Sequence, residues 1–122
     1  MIVVYDKKGF TALAELAADT LVGAQLSGRE LAEANLIQMD LRRADFQGAN
    51  LKDADLRLAN LEGANFQAAV LDGADLSGAN LIGADFRDAN TTGLRLTGAT
   101  MNLATIATLS ALNLDLETVK LA

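Results

Sequence analysis

The sequence of 122 residues contains no cysteine and no histidine, and each absence removes a class of chemistry. Without cysteine the chain has no disulfide framework, no thiolate nucleophile and no cysteine-based metal site. Without histidine it also lacks the Ser-His-Asp and Cys-His catalytic arrangements and the usual zinc ligand sets. No run of about 18 apolar residues occurs, and "MIVVYDKKGF" has no basic segment before its apolar residues. We therefore expect no membrane span, no signal peptide and a cytoplasmic location.

Aromatic residues and basic charge are also scarce. The chain has four Phe and one Tyr, although 51% of its residues are apolar, because Ala and Leu supply most of them. Any core must therefore be narrow and built from small or medium side chains. Ten basic residues against 16 acidic ones give a net charge of −6, so direct nucleic-acid binding, which needs a clustered basic surface, is not expected.

A five-residue repeat fills the middle of the chain. Every fifth residue is Leu or Phe: Leu41, Phe46, Leu51, Leu56, Leu61, Phe66, Leu71, Leu76, Leu81 and Phe86. Alanine stands two positions before each central residue from Phe46 onward, as in Ala44, Ala64 and Ala84. Asp or Asn lies between the two, with Val70 as the exception, and Gly often follows the central residue by two positions. The unit is Ala-Asp/Asn-Leu/Phe-x-x.

A period of five fits neither a helix nor a flat strand. On a helix each repeat would rotate the apolar pair by about 140° and leave no stripe to bury. On a flat strand, residues five apart would point to opposite faces. The chain must turn once per repeat, and Asp, Asn and Gly are residues that turns use. Such a chain winds into a solenoid.

The phenylalanines indicate how many sides each coil has. Three sides would place equivalent residues 15 apart and four sides 20 apart, and Phe46, Phe66 and Phe86 stand 20 apart. We therefore predict a four-sided coil with a column of stacked Phe on one side and columns of Leu on the others. Coils at β spacing, about 4.8 Å, would pair their backbones with the next coil.

The run "ADFQGANLKDADLRLANLEGANFQAAVLDGADLSGANLIGADF" resembles the pentapeptide repeat family. The resemblance is specific over residues 41 to 90 and extends from Leu21 to Gly98. It implies an all-β fold, a right-handed quadrilateral parallel β-helix, with Leu or Phe as the central inward residue and Ala as the second one. For this chain it predicts about five coils of 20 residues.

The two ends depart from the repeat and are predicted to be caps. Residues 1–20 form the N-terminal cap, with a strand over "MIVVY", a "DKKG" turn and then a helix, because Phe10, Leu13, Ala14, Ala17 and Leu21 have helical spacing. Residues 21–122 form the β-helix, whose last coil, about 101–122, is the C-terminal cap. There "LNLDLETVKL" predicts a half-buried strand, and a short helix over 103–111 is the competing prediction. Arg29, at an inward position, predicts a local distortion of the first coil.

The regular Asp/Asn positions are the one array that could be taken for a metal site. Calcium-binding β-rolls use a nine-residue glycine-rich repeat that this chain lacks. We expect these side chains to bond the turn backbone or solvent. No nucleotide-binding glycine motif is present, and a filled rod offers carboxylates no pocket that would desolvate them. We expect no catalytic residue, no cofactor and no metal.

Assigning charges to the four sides of the coil separates two hypotheses about function. The side centred on Leu21, Leu41, Leu61, Leu81 and Met101, here called the neutral wall, carries no net charge, and the others carry about −2, −3 and −2. Topoisomerase-protecting members of the family resemble duplex DNA in shape and charge, and these fields are weak beside one charge per about 1.7 Å. The first hypothesis is therefore a non-catalytic structural or protein-interaction module, and the alternative is an acidic DNA mimic that regulates a topoisomerase.

The neutral wall also offers a candidate surface for an unknown protein partner. It projects aliphatic side chains outward with two arginines between them: Val22, Arg42, Arg43, Ile82 and Leu103. The apolar C-terminal coil could support self-association, so we expect a monomer or a weak dimer formed through that coil.

Overall fold

The computed structural model describes residues 1–110, 114 and 116–122. Its regular elements are the strands β1 (Ile2–Tyr5), β2 (Ala12–Leu16) and β3 (Thr100–Met101), the helix α1 (Leu103–Ser110) and the strand β4 (Lys120–Leu121). β1 pairs with β2 in antiparallel register, and β3 pairs with β4 in parallel register. Between β2 and β3 the chain repeats one short structural unit, which forms the body of the molecule.

Each unit of the body is a β-turn followed by a single bridge residue. In the unit of Leu41, the Ala44 N–H donates to the Leu41 carbonyl at 3.0 Å and closes the turn. The third residue of every turn from Gly23 to Gly98 has a positive φ, which type II turns require and which glycine adopts without strain. Glycine fills many of these positions, and the remainder are Glu33, Gln38, Arg43, Asp53, Leu58, Ala68 and Asp88.

The bridge residues join successive coils. Asn60, for example, bridges in parallel to both Asp40 and Asn80, and all of the parallel bridges outside the strands join residues 20 apart. The Leu41 N–H donates to the Asn60 carbonyl at 2.8 Å, and the Asn60 N–H donates to the Met39 carbonyl at 3.0 Å. The backbone therefore pairs with the next coil once on each side of the rod. The prediction of about five coils stays a prediction.

The core consists of columns of identical or similar side chains. Phe46 and Phe66 stack with ring centroids 5.1 Å apart, and Phe66 and Phe86 stack at 4.9 Å. Every residue assigned to the core ladder is buried: Phe46, Phe66, Phe86, Leu41, Leu51, Leu56, Leu61, Leu71, Leu76, Leu81, Ala44, Ala64 and Ala84. Because each inward side chain rests on its equivalents above and below, the interior is filled by repetition alone.

We name the three remaining sides of the body by their central residues. The Phe wall is centred on Leu26, Phe46, Phe66 and Phe86. The third wall is centred on Leu31, Leu51, Leu71 and Thr91, and the fourth wall on Leu36, Leu56, Leu76 and Leu96.

The N-terminal cap is a hairpin, and the helix predicted after the "DKKG" turn is wrong. The segment Ala12–Leu16 is β2, whose buried Ala14 lies opposite Val4 of β1. Phe10, taken as part of a helical stripe, is 86% exposed. The apolar spacing was compatible with a helix, but the antiparallel partner provided by β1 decides the conformation. The hairpin joins the first coil where the Asn35 N–H donates to the Tyr5 carbonyl at 2.8 Å.

The C-terminal cap contains the helix that was the competing prediction. α1 occupies Leu103–Ser110, and Leu109 and Thr105 are buried against the end of the body. Of the segment 112–121 predicted as a strand, the structure describes strand conformation at Lys120–Leu121, while residues 112, 113 and 115 lie outside the described residues. The cap is thus helical where the repeat ends, so the fold is not purely β.

The distortion predicted at Arg29 is not seen in the backbone. The Arg29 N–H donates to the Leu26 carbonyl at 3.2 Å, and the Arg29 carbonyl accepts from the Asn50 N–H at 2.9 Å. The side chain is exposed instead of inward. Near the N-terminal end of the body a long side chain can leave the core without breaking the ladder.

Candidate functional site

The outer surface carries its grooves where glycines stack at the turn position of successive coils. On the neutral wall Gly63 lies below Gly83, with a Gly63 amide 3.7 Å from where a Cβ on Gly83 would be. At the lower end of this pair stands Arg43, a residue with a side chain at the same turn position. A Cβ on Gly63 would lie 3.3 Å from Arg43 Cγ, so the arginine stem lies over the glycine.

The groove on the neutral wall has a volume of about 350 Å³. Its lining residues are Arg42, Arg43, Glu62, Gly63, Ile82 and Gly83. Three of the predicted surface residues, Arg42, Arg43 and Ile82, are therefore brought together. The glycines form its floor, and the half-buried Ile82 provides an aliphatic side.

The two arginines of this groove are in different electrostatic situations. The guanidinium of Arg42 donates to both carboxylate oxygens of Asp40 at 2.8 Å. These bonds lower the pKa of Asp40 and raise the pKa of Arg42. Arg43 has no salt bridge to any residue that the structure describes. An exposed guanidinium of this kind is available to a carboxylate from outside.

Val22 and Leu103 lie on the same wall but outside the groove. Val22 precedes Gly23, whose N–H donates to the Arg42 carbonyl at 2.8 Å, so it stands one coil below the arginines. Leu103 opens α1 at the other end of the wall and is exposed. The predicted surface thus divides into a central groove and two separate aliphatic residues.

The Asp and Asn residues before the central positions bond the turn backbone. Asp45 Oδ1 accepts from the Gln47 N–H at 3.0 Å, and Asn65 Oδ1 accepts from the Gln67 N–H at 2.9 Å. The same bond recurs around the body, for example at Asp75 and Asn80. Within the described residues no group of acidic side chains is arranged to hold a metal ion. The array is occupied in shaping the turns.

Three of these aspartates also bind an arginine two residues later, a pairing that the sequence analysis missed. Arg57 donates to Asp55 at 2.9 and 2.7 Å, and Arg87 donates to Asp85 with Nη2 at 2.7 Å from Oδ2. In both pairs the arginine lowers the pKa of the aspartate and its own pKa is raised. The signal in the sequence is Asp-Leu/Phe-Arg, which places both side chains on the outer surface of one turn.

The family model for pentapeptide repeats matches residues 21–57 and 59–98 in 8 copies. The chain belongs to the pentapeptide repeat family. The fold of this family is the right-handed quadrilateral β-helix, and the turn-per-repeat body with bridges 20 residues apart agrees with it. The recognition made from the repeat run is therefore confirmed.

Solved structures of the same family resemble this chain. The pentapeptide repeat protein Rfr23 from the cyanobacterium Cyanothece 51142 has 36% sequence identity and a TM-score of 0.59, over 61% of this chain and 50% of that one. This pentapeptide repeat protein thus matches half the length of Rfr23.

Two further structures extend the comparison. The pentapeptide repeat protein alr5209 from Nostoc Pcc 7120 is 33% identical over 80% of this chain and 84% of that one, with a TM-score of 0.39. QnrB1, a plasmid-mediated fluoroquinolone resistance protein, is 18% identical over 97% of this chain and 69% of that one, with a TM-score of 0.34. No curated protein matches the sequence.

In the described part of the chain, no helix has the length and apolar character needed to cross a bilayer.

Proposed function

We propose that this pentapeptide repeat protein is a non-catalytic interaction module that binds a partner protein through the groove on the neutral wall. The observation that carries the proposal is the position of Arg43, an exposed guanidinium with no ion pair among the described residues, beside the half-buried Ile82. In this proposal the module is a rod of about five coils that acts in the cytoplasm as a monomer or weak dimer.

The backbone of Arg43 supports this proposal. Its φ is 57°, a left-handed conformation that costs a non-glycine residue about 1–2 kcal/mol. Glycine occupies the equivalent positions in the neighbouring coils, at Gly23 and Gly63. Stability alone would favour glycine here as well, so the guanidinium is retained at a cost, and outliers of this kind are concentrated at binding sites.

Substitution of Arg43 by glycine tests the proposal without a folding penalty. Arg43→Gly removes the guanidinium and relieves the left-handed backbone, so the variant should fold at least as stably as the parent. Immobilised parent protein should retain a protein from a lysate of its source organism that Arg43→Gly and Ile82→Asp fail to retain. Ala68→Gly, the same change of turn residue on the Phe wall, is the matched control and should retain it.

The result has a clear contrary. If the captured protein binds Arg43→Gly and Ile82→Asp as well as it binds the parent, the neutral wall is not the interface. Capture that is lost with Ala68→Gly as well would mean that the substitution type, and not the groove, controls binding.

The alternative, an acidic DNA mimic that binds a topoisomerase, has less support. Asp40, Asp55 and Asp85 are each covered by the arginine two residues later, which reduces the negative field that a partner would meet. Arg95 lies 3.8 Å from Asp75 and reduces it further. A gyrase supercoiling assay with a quinolone distinguishes the two functions. Protection by stoichiometric amounts of the protein would favour the mimic, and no protection would favour the interaction module.

A further inference from the structure

The fourth wall carries a second groove, distinct from the one on the neutral wall. It has a volume of about 430 Å³ and is lined by Ile37, Gln38, Arg57, Leu58, Ser77 and Gly78. Its main apolar side chain is Leu58, which is 58% exposed. The groove continues upward toward Gly98, the glycine that follows Gly78 at the same turn position.

Leu58 is an unfavourable residue for this position if stability is the only requirement. Its φ is 61°, so its backbone adopts the left-handed conformation that favours glycine. The side chain leans over the next coil, since a Cβ on Gly78 would lie 2.7 Å from Leu58 Cδ2. Most of the side chain nevertheless remains in contact with water. A strained backbone that presents an aliphatic side chain to solvent points to a binding role.

The edge of this groove presents cations outward. Asp55 and Asp75 are stacked by a parallel bridge, and their like charges are offset by Arg57 and Arg95. The side chains of Arg57 and Arg95 are 51% and 71% exposed, whereas those of Asp55 and Asp75 are 12% and 22% exposed. The carboxylates therefore lie beneath the guanidiniums. A molecule that approaches this edge meets positive charge first.

We propose that the fourth-wall groove binds a segment of a partner protein that places an aliphatic side chain against Leu58 and a carboxylate against Arg57 and Arg95. The apolar contact would supply affinity, and the guanidiniums would supply orientation by charge-assisted hydrogen bonds. A second copy of this chain is disfavoured as the occupant. Its most exposed aromatic side chain, Phe10, stands beside the exposed Lys7 and Lys8, which the guanidiniums would repel.

Synthetic peptides can test this chemistry directly. The probe is a short peptide of leucine and glutamate residues, with one analogue in which lysine replaces glutamate and another in which alanine replaces leucine. Binding is followed by NMR at the Leu58 methyl groups and the Arg57 Nε–H. The leucine–glutamate peptide should shift both signals, and each analogue should bind about tenfold more weakly.

Variants locate the binding and separate it from folding. Leu58→Gly should weaken binding of the leucine–glutamate peptide about tenfold while its melting temperature stays equal or rises, since the left-handed strain is relieved. Arg43→Gly, which alters the neutral wall, should leave this binding unchanged. The inference is therefore separable from the proposed function.

Four results would overturn the inference. They are no shift of the Leu58 methyl groups at the highest soluble peptide concentration, equal binding of the lysine analogue, undiminished binding by Leu58→Gly, and a lower melting temperature of Leu58→Gly. The last would show that the leucine serves stability.

Discussion

The body of the molecule and its two caps obey different rules. In the body each buried residue has equivalents in the coils above and below, so the same turn, bridge and inward pair recur from Leu21 to Gly98. The caps occur once, and each stops the ladder with its own device. The N-terminal hairpin offers the Tyr5 carbonyl to the first coil. The C-terminal helix offers the side chain of Asn102 to the last one.

The C-terminal device shows how a helix can replace a coil. In the body, an amide such as that of Gly63 donates to the carbonyl 19 residues later, at Ile82. The equivalent Gly83 N–H donates to Asn102 Oδ1 at 3.3 Å, and the Phe86 N–H donates to Thr108 Oγ1 at 3.5 Å. The cap thus satisfies exposed ladder groups with side chains.

The largest contrast between body and cap is expected from the same substitution in each. Phe66→Ala should lower the free energy of unfolding by about 3–5 kcal/mol, because it opens a cavity between two stacked rings. Phe10→Ala, on the hairpin, should change it by less than about 0.5 kcal/mol because the ring is exposed. Urea denaturation followed by circular dichroism measures both. Similar values for the two variants would mean that the Phe column does not hold the body together.

The second test removes the junction between the body and the C-terminal helix. Asn102→Ala deletes an acceptor shared by the Gly83 N–H and the Thr105 N–H, so it should cost about 1–2 kcal/mol. Hydrogen exchange of the Gly83 amide should accelerate, while amides in the middle of the body, such as Asn60, should keep their protection. Asn90→Ala, at an exposed asparagine, is the control. Equal acceleration in both variants would argue against a specific junction.

The third test uses pH and concerns the outer surface of the body. The pKa of Asp55 is lowered from 3.8, first by its hydrogen bond to Arg57, so the ionised form is favoured in the folded state. Its contribution to stability is present above pH 3.8 and is lost as the pH falls through the lower folded-state value.

Asp55→Asn should therefore cost about 1 kcal/mol at neutral pH, and the difference from the parent should shrink below about pH 4. Asp19→Asn, at an exposed acid of the N-terminal cap, should show a smaller difference. Urea denaturation at a series of pH values measures it. A penalty for Asp55→Asn that is constant with pH would show that the charge of Asp55 is not involved.

The smallest effects distinguish two adjacent alanines of the body. Ala68 has a φ of 57° and is exposed, so Ala68→Gly should stabilise the protein by up to about 1 kcal/mol. Ala69 is buried as the second inward residue, so Ala69→Gly should destabilise it by about 1 kcal/mol. Thermal melting of the two variants should give shifts of opposite sign. Shifts of the same sign would contradict the assigned turn position.

Much of the body could be predicted from the sequence, because a period of five with Ala and Leu or Phe leaves few physical solutions. The caps could not be predicted in the same way. The spacing of Leu13, Ala14 and Ala17 suits a helix, and only the antiparallel pairing with β1 makes the segment a strand. At the other end, the helix depends on Asn102, whose role becomes visible once Gly83 lies beside it.

The candidate surfaces show the same division. Equivalent positions 20 apart placed Arg42, Arg43 and Ile82 on one wall, and the structure places them around one groove. The groove at Leu58 was not predicted, because it depends on a backbone angle and on the absence of a side chain at Gly78. Pattern reasoning finds which wall a residue occupies, and geometry is needed to find where that wall is hollow.

Four sides per coil is the central claim, and disulfide cross-linking of this cysteine-free chain tests it most directly. Val70 and Asn90 are bridged in parallel, 20 residues apart, at a spacing suited to a disulfide. The double variant Val70→Cys with Asn90→Cys should therefore cross-link readily under mild oxidation and stay folded. Asp75→Cys with Asn90→Cys, the spacing of a three-sided coil, should not. Efficient cross-linking of the second pair with failure of the first would contradict the account.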